Sequence, residues 1–299
     1  MVLSIVICTY NRSSFLDKCI SSVLEQASKN NNGIEVLIID NNSTDSTKQI
    51  AQKYTEANSS VRYISESNQG LSYARNRGIN EAKGDYIAFV DDDATIASSW
   101  LNSLLDGINQ EQAKAFGGPI LPNFEKQPPA WIDPSYFERR FHSSNGYLNS
   151  IGDIQVFSGG NMCISANVFN KIGGFDVTLG MIGNKMGLGE ETEFFQRLNK
   201  EYPNSLYNIE NMAISHFEPA IKFEKKYLKD RIYLSGLQFA ERQKKHKTFY
   251  GFVFIIAKLI KQSITSIIYA SLGPFIKYAK FKALKALWVS RGLWKGLFI

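Results

Sequence analysis

The sequence predicts an α/β fold in which helices cover a mostly parallel β-sheet. Two observations carry this prediction: apolar runs of strand length alternate with stretches of helical spacing, and polar residues follow the ends of several runs. Strands and helices that alternate in this way form β–α–β units, whose strands are parallel. The chain has 299 residues, of which 44% are hydrophobic, so it is long enough to bury a sizeable core.

The predicted elements follow one another from the N-terminus. The run at 3–8 is a short apolar strand, and the next stretch, 14–27, is a helix whose apolar residues lie at helical spacing: Phe15, Leu16, Ile20, Val23 and Leu24. The same reasoning predicts strands at 35–39, 61–64 and 85–90 and helices at 44–54 and 72–82. This order is typical of a parallel sheet with crossover helices.

Polar residues follow three of the predicted strands. They are Thr9, Tyr10, Asn11 and Arg12, then Asp40, Asn41 and Asn42, then Asp91, Asp92 and Asp93. In open parallel sheets, ligands bind at the carboxyl ends of the strands. The sequence therefore predicts one crevice lined by three loops.

Asp91, Asp92 and Asp93 are three like charges in that crevice. Carboxylates that cluster away from water repel one another unless a cation neutralises them, and their oxygens suit Mg²⁺ or Mn²⁺, which commonly bind substrate phosphates as well. We expect a metal-bound phosphate here. The alternative is a solvated turn after a strand.

Four stretches, in order, resemble the family 2 glycosyltransferases. They are SIVICTYNR at 4–12, EVLIIDNNSTD at 35–45, NQGLSYARNRGINEAKGDYIAFVDDD at 68–93, and SGGNMCISANVFNKIGGFD followed by GLGEETEFFQRL. The resemblance implies a GT-A-type, Rossmann-like fold over roughly residues 1–220. It also implies a metal-dependent transfer of a sugar from a nucleotide-diphosphate sugar, with inversion.

The resemblance implies a role for each of the polar loops. Thr9, Tyr10, Asn11 and Arg12 form the first nucleotide loop, with Tyr10 packed on the base, and Asp40 or Asn41 binds the base or ribose. Arg75 reaches the diphosphate, since a guanidinium suits phosphate oxygens, and a solvated helix residue is the alternative. Asp91 and Asp92 contact the nucleotide sugar. Asp93, Asp91 and His216 are the implied metal ligands, and an ordinary structural histidine is the alternative for His216.

Glu191, in the stretch GLGEETEFF, is the implied general base, and Glu190 is its supporting residue. A carboxylate at this position takes the proton of the acceptor hydroxyl, and burial or a neighbouring acid can raise its pKa toward the working pH. Many relatives have aspartate here. The alternative is an acidic first turn that the helix dipole favours.

The acceptor site is the part for which the sequence has the weakest signals. We expect Trp131, Gly160 and Asn161 to contact the acceptor, because aromatic faces pack well on sugars and SGGN is one of the matching stretches. A proline-stiffened loop with a buried Trp131 is the alternative.

The C-terminal part of the chain is basic and apolar. No acid follows Glu241, whereas 12 basic residues do, so residues 1–241 carry a net charge of −6. Residues 252–272 predict a helix that ends at Gly273, and Lys258 and Lys261 interrupt a clean membrane span of about 18 residues. We therefore expect a helix in the membrane interface, with basic clusters at 242–247 and 277–285 near anionic lipids and Trp288 and Trp294 at headgroup level. The alternative is a helical subdomain that packs on the body or on a second copy.

Taken together, these features predict an enzyme of two parts. Residues 1–220 form the glycosyltransferase domain, with a nucleotide-binding half at 1–115 and an acceptor half at 116–220, and 221–299 form a helical, membrane-associated extension. The expected reaction transfers a sugar, from a UDP-sugar, to a saccharide or lipid-linked glycan in surface polysaccharide or glycoconjugate synthesis, with Mg²⁺ or Mn²⁺ as cofactor. A nucleotidyltransferase and a non-catalytic nucleotide-sugar-binding scaffold are the alternatives.

We expect this enzyme at the cytoplasmic face of a membrane. Three cysteines without metal-ligand spacing indicate a reducing compartment, and the N-terminus has no pattern typical of a signal peptide. The expected partners are the donor, the acceptor, an anionic membrane surface and a second copy of the chain. Nucleic acid is not expected, because no recognised nucleic-acid motif is present.

Overall fold

The computed structural model describes residues 3–29, 33–141, 143–148, 156–245 and 249–298. They form two compact units. The sheet unit comprises Met1–Asn123, Glu138–Lys185 and Glu190–Phe217, and the helical unit comprises Phe124–Phe137, Met186–Gly189 and Glu218–Ile299. The helical unit thus includes two segments that come before the predicted boundary at 220.

Strands and helices alternate along the sheet unit. The strands are β1 (Leu3–Thr9), β2 (Ile34–Asp40), β3 (Val61–Ser65), β4 (Tyr86–Asp91), β5 (Ala94–Ile96), β6 (Ala115–Gly117), β7 (Ile120–Phe124), β8 (Gly146–Tyr147), β9 (Asn161–Ser165), β10 (Leu206–Asn208) and β11 (Ile214–Glu218). The helices of this unit are α1 (Ser13–Ala27), α2 (Thr47–Ala57), α3 (Leu71–Glu81), α4 (Trp100–Gln110), α5 (Ala166–Ile172) and α6 (Glu190–Glu201).

The main sheet has eight strands in the order β3-β2-β1-β4-β9-β6-β10-β8. The pairs β1–β2, β1–β4, β2–β3 and β6–β10 are parallel, whereas β9 is antiparallel to both β4 and β6. A smaller sheet has the order β5-β11-β7. The predicted class, a mostly parallel sheet flanked by helices, is confirmed.

The core covers β1 on both faces. Leu3, Ile5 and Ile7 pack in one apolar cluster and Val6 in the other, as expected when successive side chains of a strand point to opposite sides. Helix α1 contributes Leu16 to the first cluster, and α6 contributes side chains to the second. This double coverage explains why the strand reads as an almost continuous apolar run.

Helix α2 begins at Thr47, three residues later than predicted. Asp45 explains the difference, because its Oδ1 accepts from the backbone N–H of Thr47 at 3.0 Å and its Oδ2 accepts from that of Ser13, also at 3.0 Å. The residues before Thr47 therefore stay in the loop that meets the loop after β1.

The helical unit contains α7 (Lys225–Lys245), α8 (Phe249–Ser271) and α9 (Ala279–Phe298). Leu228 and Ile232 of α7 share a buried cluster with Phe281 and Trp288 of α9, and the earlier segment 124–137 adds Ile132 and Phe137 to it. Since Trp288 is only 3% exposed, the expectation that it lies at lipid headgroup level is wrong. Trp294, in contrast, is 57% exposed.

Glycines bring α7 and α9 close together. A Cβ added at Gly292 would lie 2.7 Å from the backbone nitrogen of Leu237, and one at Gly296 would lie 2.5 Å from the Cβ of Ala240. A side chain larger than hydrogen at Gly292 would therefore force the two backbones apart.

One side of α8 is exposed and apolar. Its large exposed residues, together with Leu272 directly after the helix, are here called the α8 face: Phe252, Val253, Phe254, Ile260, Ile264, Ile267, Ile268 and Leu272. Ile255, on the other side, is buried in a small cluster with Ala240 and Leu293. The predicted helix and its end before Gly273 are confirmed. The side chain of Lys245 and all of Lys247, from the predicted basic cluster at 242–247, lie outside the described residues.

Candidate active site

The loops after β1 and β2 are bonded to each other. Asn11 has a φ of 51°, in the left-handed region that asparagine tolerates better than most residues. In this conformation its backbone N–H donates to Ser43 Oγ at 2.9 Å, and its side-chain Oδ1 accepts from the backbone N–H of Thr44 at 2.8 Å. Asn11 therefore joins two of the three predicted loops.

Asp40 and Asn41 are both buried, and both bond within the protein. Asp40 Oδ1 accepts from the backbone N–H of Ser43 at 2.9 Å, and Oδ2 accepts from the hydroxyl of Tyr63 at 2.7 Å. Asn41 donates to the carbonyl of Asn68 at 2.6 Å and accepts from the backbone N–H of Gly70 at 2.7 Å. Asn41 thus braces the loop that leads into α3, and a direct contact of either residue with a nucleotide stays a prediction.

The acids after β4 meet His216. Strand β11 pairs with β5 so that His216 lies opposite Ala94, directly after Asp93. His216 Nε2 is 3.2 Å from Asp93 Oδ1 and 3.9 Å from Asp91 Oδ2, and one donor atom from each of the three residues lies within 4.8 Å of the others. The sequence alone did not predict how close Asp93 and His216 lie to each other.

This group has the chemistry of a divalent-cation site. Two carboxylates and an imidazole suit Mn²⁺, and carboxylate oxygens suit Mg²⁺. Burial, followed by the charge of Asp93, raises the pKa of the neighbouring Asp92 to about 8. This shift reflects the cost of holding several negative charges close together in this loop. Asp91, Asp93 and His216 therefore fit the implied metal.

Arg12 approaches the same acids from the first loop. Its Nη1 lies 3.5 Å from Asp93 Oδ2, and its guanidinium lies over the ring of Phe15, 5.7 Å from the centroid. Phe15 in turn packs against Phe217, with ring centroids 4.7 Å apart. The structure thus brings the first loop and the acidic loop together at one edge of the sheet.

Glu190 and Glu191 begin α6, and both pair with the guanidinium of Arg75. Arg75 Nη1 is 3.2 Å from Glu190 Oε1, and Arg75 Nη2 is 3.3 Å from Glu191 Oε1. The guanidinium also lies over Phe175, 5.4 Å from the ring centroid. The contacts of Arg75 in the structure are therefore with the predicted base and its neighbour, and a contact with the diphosphate stays a prediction.

The surroundings of this trio shift two pKa values. Burial, followed by the charge of Glu191, raises the pKa of Glu190 from 4.5 to about 7, although the charge of Arg75 opposes both. Burial lowers the pKa of Arg75, but the charges of Glu191 and Glu190 outweigh this effect and raise it. Arg75 therefore stays charged, whereas Glu190 is the group that holds a proton near neutral pH.

Two adjacent glycines separate the base from the acidic loop. A Cβ at Gly159 would overlap Arg75 and Glu191, and a Cβ at Gly160 would overlap the carboxylate of Asp91. The backbone N–H of Gly159 also donates to Glu191 Oε1 at 3.2 Å. The backbone at 159–160 thus touches both the predicted base, Glu191, and the predicted metal ligand, Asp91.

Asn161 and Trp131 take different places. Asn161 is 1% exposed, and its side chain accepts from Trp100 Nε1 at 2.8 Å and donates to the carbonyls of Met212 and Pro119 at 2.7 and 3.1 Å. Because of these bonds and its burial, the side chain of Asn161 has no exposed polar atom that could contact the acceptor sugar. Trp131 belongs to the helical unit, where it is half-buried against Phe281 with ring centroids 6.1 Å apart.

Sequence reasoning missed Gly159, Phe175 and Tyr63. The doubled glycine in SGGN was a usable signal, because adjacent glycines often mark a close approach to another group. Tyr63 and Phe175 had no such signal, since their roles depend on side chains that are distant in the chain.

Solved structures with a similar fold are glycosyltransferases of the GT-A type. S. aureus TarS, residues 1–349, in complex with UDP-GlcNAc is 17% identical with a TM-score of 0.56, and the match covers 99% of this chain and 92% of that one. The mannosyltransferase PcManGT from Pyrobaculum calidifontis, in complex with GDP-Man and Mn²⁺, is 14% identical with a TM-score of 0.61, covering 99% and 87%. The fold is thus the GT-A fold of these glycosyltransferases.

The sequence gives the family. Residues 4–173 match the model described as glycosyl transferase family 2, and the chain belongs to that family. It is 24% identical over 229 residues to the glucosyl-dolichyl phosphate glucuronosyltransferase of Haloferax volcanii, covering 75% of this chain and 72% of the relative.

A second relative shares a shorter stretch. The GalNAc(5)-diNAcBac-PP-undecaprenol beta-1,3-glucosyltransferase of Campylobacter jejuni is 31% identical over 121 residues, which are 40% of this chain and 38% of that protein. The likeness to this relative therefore covers well under half of either chain.

Proposed function

We propose that this chain transfers a sugar from a UDP-sugar to a hydroxyl of a lipid-linked glycan, with inversion at the anomeric carbon. One observation carries the proposal: the backbone at Gly159 and Gly160 touches Glu191 on one side and Asp91 on the other. A proton acceptor and a cation-binding acid are thus separated by a single peptide unit. Direct displacement needs such a pair, because the acceptor is activated while the diphosphate leaves.

Glu191 accepts the proton of the acceptor hydroxyl as its oxygen attacks the anomeric carbon. In one step the new glycosidic bond forms, the bond to the diphosphate breaks, and the diphosphate departs with the electron pair. Because attack and departure take place on opposite faces of the sugar, the configuration inverts. Arg12 lies beside Asp93 and is the cation of the first loop that meets the nucleotide.

Asp91, Asp93 and His216 would hold a divalent cation, Mn²⁺ or Mg²⁺. When bound, this ion would offset the negative charge of the nucleoside diphosphate. The oxygen-and-imidazole set described above supports this role, as does the Mn²⁺ in the complex of PcManGT.

The names of two relatives support a lipid-linked acceptor. One acts with a dolichyl phosphate and the other with an undecaprenol-linked glycan, and both carriers are lipids. An acceptor anchored in a membrane is reached most easily by an enzyme that lies on the same surface.

The helical unit supports peripheral attachment to the cytoplasmic face of an anionic membrane. Gly251–Ser271 is long and apolar enough to cross a membrane by length and composition, even though Lys258 and Lys261 lie within it. Because α8 buries Ile255 against α7 and α9 and leaves the α8 face exposed, it suits a position in the interface plane. Lys261, Lys277 and Lys280 are exposed and would meet anionic headgroups.

A screen of nucleotide sugars tests the reaction. We expect a UDP-sugar with Mn²⁺ to raise the melting temperature, because a ligand that binds the folded form stabilises it. The same donor should then be consumed only with a polyprenyl-linked saccharide acceptor, and the product's anomeric configuration, read by NMR, should be opposite to the donor's. Retention of configuration would contradict the direct displacement.

Glu191→Gln tests the base. The variant should lower kcat by about 100-fold or more and leave donor affinity nearly intact, since only the proton acceptor is lost. Glu193→Gln is the matched control, because Glu193 lies in the same helix but pairs with Arg197 at 2.7 Å. Equal losses of affinity and rate in Glu191→Gln would show that Glu191 is structural instead.

A further inference from the structure

Arg75 is a buried cation whose two terminal nitrogens each meet one carboxylate. It is 3% exposed, and the 3.2 and 3.3 Å ion pairs with Glu190 and Glu191 occupy both prongs of its planar fork. A fork of this kind fixes the direction of its partners as well as their charge. Phe175 covers the guanidinium at 5.4 Å.

Glu191 is held at one oxygen from two directions. Its Oε1 faces Arg75 Nη2 and accepts from the backbone N–H of Gly159 at 3.2 Å. The side chain is nevertheless 23% exposed, in contrast to 5% for Glu190, so the clamp leaves part of Glu191 accessible. Glu190 Oε2 is buried and has no hydrogen-bond partner within the part of the chain that the structure describes.

We propose that Arg75 is a positioning residue that clamps Oε1 of Glu191 and so presents Oε2 to the acceptor, with Glu190 as the buried third member of the clamp. This inference rests on the proposed function. It differs from the diphosphate role expected for Arg75 from the sequence, because it assigns the guanidinium to the base and not to the donor.

The charges around Glu191 give the inference a measurable sign. Three charged groups from separate elements interact with Glu191: Arg75 from α3, Glu190 from α6 and Asp91 from β4. An opposite charge lowers the pKa of a carboxylate by about 1–3 units and a like charge raises it. Loss of Arg75 should therefore move the acidic limb of the rate profile up in pH, whereas Glu190→Gln should leave it nearly in place, because Glu190 already holds a proton on the acidic side of pH 7.

The experiment compares four variants of the full chain: Arg75→Gln, Arg75→Lys, Glu190→Gln and Arg77→Gln. Arg77 is the matched control, since it lies on the same helix but is 43% exposed and pairs with Glu81 at 2.9 Å. The measurements are kcat against pH, and the affinity for UDP in the presence of Mn²⁺ by calorimetry.

For Arg75→Gln we expect kcat at pH 7 to fall by about 100-fold, UDP affinity to change by less than about threefold, and the acidic limb to rise by about one pH unit or more. Arg75→Lys should restore the position of the limb but only part of the rate, because an ammonium keeps the charge and lacks the fork. Glu190→Gln should leave the limb nearly in place, because Glu190 is already neutral on the acidic side of pH 7. Arg77→Gln should match the wild type in all three measurements.

Two results would overturn the inference. A loss of UDP affinity as large as the loss of rate, with an unmoved limb, would make Arg75 a diphosphate ligand. If Arg75→Gln does not fold, Arg75→Lys decides the matter, since a lysine variant that keeps the full wild-type rate contradicts the clamp. A wild-type chain that is inactive with every donor and acceptor would instead overturn the proposed function.

Discussion

At the scale of single residues, the site is a set of acids that differ in what neutralises them. Asp91 and Asp93 lie near His216 and Arg12, whereas Glu190 and Glu191 share Arg75. The first group is therefore suited to a divalent cation, and the second already contains its counter-charge.

Asp93→Ala tests the first group. Removal of one ligand should weaken UDP binding in the presence of Mn²⁺ by at least about tenfold, the lower end of what changes outside the ligand shell produce. A chelator should have the same effect on the wild type. Asp106→Ala, an exposed acid on α4, is the control and should bind UDP normally. Full affinity in Asp93→Ala would contradict the cation site.

Glu190 should make stability depend on pH. Its folded pKa of about 7 lies above the ordinary value of 4.5, so the folded state keeps a proton that the unfolded state has lost between these values. The free energy of unfolding should therefore fall as pH rises from 4.5 to 7.

Glu190→Gln should remove this penalty and raise the free energy of unfolding at pH 8 by about 1 to 3 kcal/mol, with no gain at pH 4.5. Thermal unfolding at both pH values measures the effect. Glu193→Gln should not be stabilised at pH 8, because it loses the pair with Arg197. A stabilisation of Glu190→Gln that is equal at both pH values would rule out this origin.

The residues of the site differ in how far the sequence predicted them. The convergence of Asn11, Asp40 and Asp91 followed from strand ends in a parallel sheet, because topology alone brings such ends together. The pairing of Arg75 with Glu190 joins side chains 115 positions apart, and no periodicity or spacing encodes it. Asn161 matched the motif, but its amide bonds to the core, and only the packing of Trp100 shows this.

At the scale of elements, the close approach of α7 and α9 depends on small residues. Gly292 lies against the backbone of Tyr233 and Leu237, and the pair of helices supplies most of the buried side chains of the helical unit. The sequence predicted an apolar helical extension, but not that α9 would be its core, because its apolar and basic residues alternate without a clear stripe.

Gly292→Ala tests this contact. The added methyl should destabilise the helical unit by about 1–3 kcal/mol through overpacking, whereas helix propensity alone would stabilise it by about 1 kcal/mol. The fluorescence of buried Trp288 on heating should report an earlier transition. Arg291→Ala, the exposed neighbour, should melt like the wild type. A raised melting temperature in Gly292→Ala would contradict the packing.

At the scale of the whole molecule, the question is what covers the α8 face. Ile264 and Ile267 are 52% and 66% exposed on a unit that is rich in lysine. Deleting 242–299 would not answer it, because the deletion also removes Phe281, Trp288 and Leu293, which are core residues. Substitutions on the exposed face leave that core intact.

Binding to vesicles tests the membrane proposal. The wild type should sediment with anionic vesicles at low salt, less at high salt, and weakly with neutral ones. The double variant Ile264→Ser, Ile267→Ser should bind about tenfold more weakly or worse, since less apolar surface enters the lipid. Ile221→Ser, at an exposed isoleucine outside α8, should bind normally.

Two outcomes would contradict this proposal. Binding that does not depend on lipid charge would remove the role of the lysines, and resistance to alkaline extraction would indicate a helix that crosses the bilayer. A dimer that dissociates in the double variant would assign the α8 face to a second copy.

The helical unit also takes in residues 124–137, which precede its helices by about 90 positions or more. During synthesis at about 5–20 residues per second, Ile132 and Phe137 leave the ribosome roughly seven to thirty seconds before Phe281 and Trp288 do. For that interval the nascent chain carries apolar side chains whose partners in α9 do not yet exist. A chaperone that binds short apolar segments would find one here on every newly made copy, and its release would have to wait for the last helix.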